Sequence, residues 1–432
     1  TLTALALHDT KITDAGLKAL VALKRLTHLD LNDTRVTDAG LKELAPLTDL
    51  TLLDLSKPRV TDRTLAVLRQ INLLHALNLA STPDSKRPRK PEDVTEFDLV
   101  KTKVTGEGVK ELVAFKNLAN ITLARGQAND ETIAALLKIN LLHAFTGALA
   151  TDRKRASKLD EITELYLLDL PLTEAGLKEF ATLKHVTTLY LNGTQVTAAG
   201  LKEIAAFANL TTLSLSNTQV TDAGLNELAS LTKLTSLGLS QTKITDAGLK
   251  EVASIKSLTD LDLGRNSKVT DVGVKELAAL KNLLSLELHE TKVTDAGLQH
   301  IATLPKLTSL SLMRTGVTDA GLKHVAKLKN LVGLDLSDTA VTDAGMEHVA
   351  TLKNLTSLAL IKTKVTDAGL KEIAKLSELT TLSLWLTGVT DAGLKDLAQL
   401  KKLTDLRVVG TKVTDAGVKE LQKALPKCEI VK

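Results

Sequence analysis

One glycine returns down this sequence at a nearly fixed step. Gly16, Gly40, Gly200, Gly224, Gly248, Gly297, Gly321, Gly345, Gly369, Gly393 and Gly417 fall on one ladder, most steps being 24 residues, with 25 from Gly248 to Gly273. The pentapeptide Thr-Asp-Ala-Gly-Leu occurs unchanged eight times. A period of this length means stacked copies of one supersecondary unit, because a strand and a helix alone cannot bury their own apolar faces. Composition agrees: of 432 residues only 8 are aromatic (five Phe, two Tyr, one Trp), so the core packs from aliphatic side chains, as a layered stack can.

Within the unit Leu26–Asp49, Leu29 and Leu31 alternate with His28, Asp30 and Asn32, the period-two signature of a short half-buried strand. Leu41, Leu44, Ala45 and Leu47 then follow helical spacing. Thr37 is placed to cap that helix, with Asp38 in its first turn where the helix dipole favours negative charge. Gly40 weakens the helix, so its recurrence implies a position where a Cβ would strike the neighbouring repeat. Thr34 and its equivalents follow each strand, where a buried hydroxyl can pair with backbone, and Asn266 takes that slot in the 25-residue unit. Strands stack at about 4.8 Å and helices at about 8–10 Å, so each slab is a wedge and the stack bends with its sheet inside. About 16 slabs are expected in a single α/β solenoid over residues 1–432.

The Leu-x-x-Leu-x-Leu-x-x-Thr core resembles the leucine-rich-repeat superfamily. Its Val-Thr-Asp-Ala-Gly-Leu segment is similar to the helical, ribonuclease-inhibitor-like or F-box-associated cysteine-containing repeats of bacterial proteins, with Thr where those carry Asn or Cys. The resemblance implies a right-handed horseshoe with a concave parallel sheet and convex helices, protein recognition on the concave face, and no catalysis by the repeats. Right-handedness also follows from the strand–helix–parallel-strand connection rule.

The period breaks twice, between Thr64 and Gly108 and between Thr132 and Gly176, where the step becomes 44. Irregular repeats with inserted segments are thus expected at 65–93 and 133–161. Ile71-Asn72-Leu73-Leu74-His75-Ala76 recurs as Ile139-Asn140-Leu141-Leu142-His143-Ala144, and each copy precedes a basic stretch (Ser85–Lys90 and Arg153–Arg155). Either the helix from Thr64 runs on towards residue 80, or Leu74, Leu77 and Leu79 form another strand. Gly147 in the second copy favours the longer helix with an exposed loop. The chain opens in mid-unit at Leu2, which suggests an excised or processed piece, and 421–432 reads as a capping strand.

Formal charge is +4, from 55 Lys and Arg against 51 Asp and Glu, too even for a dedicated nucleic-acid binder. One cysteine (Cys428) excludes an internal disulfide framework, and no apolar run reaches membrane-spanning length. Neither a phosphate-binding loop nor a nucleophile elbow is present. His300, His324 and His348 share a helical slot in successive repeats; no carboxylate or cysteine completes a ligand set, so they read as a surface row, with His75 and His143 structural. No cofactor or metal is expected. The compartment stays open between cytoplasm and export with a removed signal.

On the inner face most slots are small and polar, which is ordinary solvated surface. Two places depart. Tyr166 and Tyr190 share a slot in adjacent repeats. Met313, Ile361, Trp385 and Val409 share another, with Arg314, Lys362, Leu386 and Arg407 beside them. Exposed apolar residues flanked by cations suggest an interface centred on the single Trp, expected to face solvent. The expectation is a monomeric, non-catalytic scaffold that recognises a protein. The rival is a binder of an anionic polymer or surface through the basic inserts, which steep salt dependence would reveal.

Overall fold

A computed structural model describes residues 2–84 and 86–432, so Ser85 of the first basic stretch lies outside the described residues. The chain divides into two compact units, Thr1–Tyr190 and Leu191–Lys432. Both are built from three-residue strands alternating with short helices. In the second unit ten strands, from Thr212–Ser214 to Glu429–Val431, pair in parallel and in chain order. Their central residues align as Leu213, Leu237, Leu261, Leu286 and onward to Ile430. These leucines are buried almost completely. In the first unit Ala4–Ala6, His28–Asp30 and Leu52–Asp54 pair in the same way, as do Glu96–Asp98 with Asn120–Thr122 and Glu164–Tyr166 with Thr188–Tyr190.

The recurrent pentapeptide is a clasp between slabs. Asp295 Oδ1 accepts from the Thr318 backbone N–H at 2.8 Å, and Oδ2 accepts from Thr318 Oγ1 at 2.6 Å. Thr318 Oγ1 in turn accepts from Ala320 N–H and so caps its own helix, Asp319–Val325. The same pairing joins Asp319 to Thr342, Asp343 to Thr366, Asp367 to Thr390 and Asp391 to Thr414. Gly321 must be glycine for this: a Cβ there would meet Asp295 Oδ1 well inside the 3.0 Å that real Cβ atoms keep. The threonine that follows most regular strands donates to the carbonyl three residues back, as Thr34 does to Leu31 at 2.8 Å. Asn266 replaces it with an amide that donates to the Leu239 and Leu263 carbonyls and accepts from Thr242 N–H.

Two expectations are corrected. The segment opened by Thr37 is a 3-10 helix, Gly40–Leu44, rather than an α-helix. At five to seven residues these segments are far too short to hold α geometry by themselves, so local packing decides their form. Nor do the helices run on through the inserts, although at nine residues they exceed the seven of Asp319–Val325. Asp62–Gln70 stops at a left-handed Asn72 and Asp130–Lys138 at a left-handed Asn140. Leu77 and Phe145 then occupy strand slots, bridged in parallel to Leu53 and Ile121. From there Ala80–Ser81 and Ala148–Ala150 pair antiparallel with the next regular strands. On the helical side nothing is added, because Asp62 clasps Thr105 and Asp130 clasps Thr173 across the insert. The first insert thus adds one short strand on the sheet side and the second adds two, Ala148–Ala150 and Lys154–Arg155, while the helices stay direct neighbours.

Candidate functional site

The sheet surface of Leu191–Lys432 is organised in columns. Met313, Ser337, Ile361, Trp385 and Val409 lie in one, linked where Asp338 N–H donates to the Ile361 carbonyl, Lys362 N–H to Trp385 and Leu386 N–H to Val409. Met313, Ile361, Trp385 and Val409 are half-buried and Ser337 is buried. Trp385 thus does not stand free in solvent as expected. Its Nε1–H is buried without a hydrogen-bond partner, and the residue as a whole is half-buried. A buried indole donor left unpaired costs free energy that aliphatic packing alone does not return.

The neighbouring column holds Asn217, Gln241, Arg265, Glu290, Arg314, Asp338, Lys362 and Leu386, each with positive φ. Charges alternate along it. Arg265 reaches Glu290 at 3.5 Å, Arg314 bridges Glu290 at 3.2 Å and Asp338 at 2.9 Å, and Lys362 lies 3.9 Å from Asp338. Arg407 pairs with Asp405 of its own strand at 3.2 Å. The cations read from the sequence as a basic flank are therefore already neutralised. The ladder ends on Leu386, 52% exposed with φ of 56°, in a region that branched apolar side chains rarely occupy. Gly410 makes room for it, since a Cβ there would strike Leu386 Cδ2.

A third column is acidic. Asp262, Glu287 and Asp335 stand at equivalent strand positions, with Ser311 between the last two. Burial first, then the charges of Asp262 and Asp335, raises the Glu287 carboxyl above its ordinary range.

In Thr1–Tyr190 the two tyrosines are register partners and stack with centroids 4.9 Å apart. Tyr166 hydroxyl donates to Glu164 at 3.1 Å, and the Arg153 guanidinium lies 5.9 Å over its ring. Burial and Glu164 raise the Tyr166 phenol. Arg155 is spent on the Asn120 side chain and the Ala144 carbonyl, and Lys158 pairs with Asp160. Sequence reasoning missed the ion-pair ladder, although alternating signs in one slot at 24-residue spacing carried the signal.

Leucine-rich-repeat sequence profiles match residues 208–251 as a pair of copies, and 1–21, 24–45, 182–205, 254–278 and 303–326 as single ones. Those stretches of the chain are leucine-rich repeats. Among solved structures it is similar to an internalin from Listeria monocytogenes, at TM-score 0.53 and 21% identity over 81% of this chain and 90% of that one. A leucine-rich-repeat protein from Leptospira interrogans is similar at TM-score 0.53 and 24% identity, over 98% of this chain and all of that one. Both likenesses concern the fold: a leucine-rich-repeat solenoid with a long parallel sheet and many helices. No curated protein matches the sequence significantly.

Proposed function

We propose that this protein is a non-catalytic scaffold that recognises a protein partner as a monomer, through the open face of its leucine-rich-repeat sheet around Trp385 and Leu386. Within the superfamily we read it as a helical, ribonuclease-inhibitor-like type, a reading supported by seven-residue α-helices such as Asp319–Val325. One observation carries the proposal: Leu386 is exposed and held in left-handed geometry where its column otherwise carries polar or charged side chains. An apolar residue kept at a strained, exposed position beside a half-buried tryptophan is what an interface centre requires. The ladder beside it, whose cations Arg265, Arg314 and Lys362 share Glu290 and Asp338 and leave one net charge, implies a matching surface that is apolar and weakly charged, so binding should respond little to salt.

The test is Trp385→Ala with Ile361→Ser. Thermal stability should hold while partner affinity drops at least tenfold; collapse of the fold would make the patch core. The anionic-ligand reading draws support from the first insert, where Arg87, Arg89 and Lys90 are exposed. The second insert offers it less, because Arg153 and Arg155 are engaged within the fold. Affinity falling steeply with salt would favour that reading instead.

A further inference from the structure

The duplicated inserts share a buried histidine that the recognition surface does not use. His75 and His143 sit in matching 3-10 turns, Leu74–Ala76 and Leu142–Ala144, each following a left-handed asparagine. They are 4% and 9% exposed. Both ring nitrogens of His75, and Nδ1 of His143, are buried without a hydrogen-bond partner. A second 3-10 turn closes each insert: Pro91–Asp93, whose Asp93 accepts from Arg89 N–H, and Leu159–Glu161, whose Glu161 accepts from Ser157 N–H.

From this arrangement we propose that the two histidines form an acid-sensitive latch, in which protonation of the imidazoles releases the inserted segments from the sheet. A neutral imidazole can lie in such a site as an aliphatic surrogate, but an imidazolium there would be a buried charge with poor solvation. The Arg89 backbone faces His75 and the Leu118 and Asn140 backbones face His143, outside hydrogen-bond geometry; with the carboxylates Asp93 and Glu92 on His75 and Glu161 on His143, they favour the charged form. Burial outweighs them and lowers both histidines below the ordinary 6.5. The folded-state value lies below the unfolded one, so the stabilisation is full above 6.5 and declines as pH falls beneath it. Only the inserts need yield, because the helix clasps from Asp62 to Thr105 and from Asp130 to Thr173 hold the solenoid across them. Release would free the strand edges at Phe97 and Leu165 and lift Arg153 from Tyr166.

Hydrogen exchange of the whole chain at pH 7 and pH 5, corrected for intrinsic rates, tests the latch. Residues 77–84, 86–93 and 145–161 should lose protection at pH 5 relative to pH 7, while the strands over 285–383 keep theirs. The double variant His75→Gln, His143→Gln should lose that pH dependence. Equal insert protection at both pH values in the natural protein, or an unchanged response in the variant, overturns the proposal. Should the variant not fold, imidazole titration in the natural chain decides. Midpoints below 6.5 that track insert opening uphold the latch, and midpoints at or above it refute it.

Discussion

At the scale of single residues, stability rests on a three-part fit of aspartate, threonine and glycine between slabs. Gly345→Ala should cost about 1–3 kcal/mol in denaturant unfolding, because its Cβ would meet both Asp319 Oδ1 and Leu322 Cδ1. Gly126→Ala, which has nothing within 4 Å, should change stability by no more than about 0.5 kcal/mol. Equal effects would mean that the clasp carries no strain-sensitive fit. At Asp14 and Asp391 the clasp is also pH-dependent. The Thr37 backbone N–H, then its hydroxyl, holds the Asp14 carboxyl below the ordinary 3.8, and the Thr414 hydroxyl, then its N–H, does the same for Asp391. Since the folded-state values are depressed, this stabilisation is present above 3.8 and lost as pH drops through the folded values. Denaturation midpoints measured between pH 5 and pH 2.5 should therefore fall, and Thr37→Val should flatten part of that fall. The glycine's role was legible in the sequence, because a helix-weakening residue that keeps returning to one helical slot must be held there by packing. The aspartate's partner was not, since capping within one helix and clasping between two leave the same letters in the sequence.

Among elements, the strand-following turn and the inserts behave differently. Asn266 is 2% exposed and satisfies two carbonyls and one N–H, so Asn266→Ala should cost about 2–4 kcal/mol by thermal or denaturant unfolding. Asn266→Thr, the residue of the other repeats, should recover much of that loss; failure to do so would tie the amide to the extra residue of its unit. Strands and regular helices could be read directly, because period two and helical spacing differ and each recurs many times. The inserts could not. Leu74, Leu77 and Leu79 satisfy both spacings over so short a run, and a left-handed Asn72 rather than any apolar pattern ends the helix. Arg314 and Lys362 read in the sequence as a basic flank, because their pairing with Glu290 and Asp338 becomes visible only when neighbouring turns are stacked.

For the molecule as a whole, each slab bonds mainly to the slabs beside it, so stability should be a sum of repeats and their interfaces. Excising residues 321–344 joins Ala320 to Gly345 in register. The shortened chain should still unfold cooperatively, at a lower midpoint temperature. A collapse to an unfolded chain would show that the slabs depend on distant rather than adjacent contacts. Packing does not explain the half-buried Trp385 with its unpaired Nε1–H, nor Leu386 left-handed beside it. Trp385 is the only tryptophan in the chain, so its emission reports on the proposed interface alone. The direct measurement is acrylamide quenching of that emission with and without a bound protein partner. Shielding of the indole, with a blue-shifted emission, is the predicted result; a partner that binds while quenching and emission stay unchanged would place recognition elsewhere.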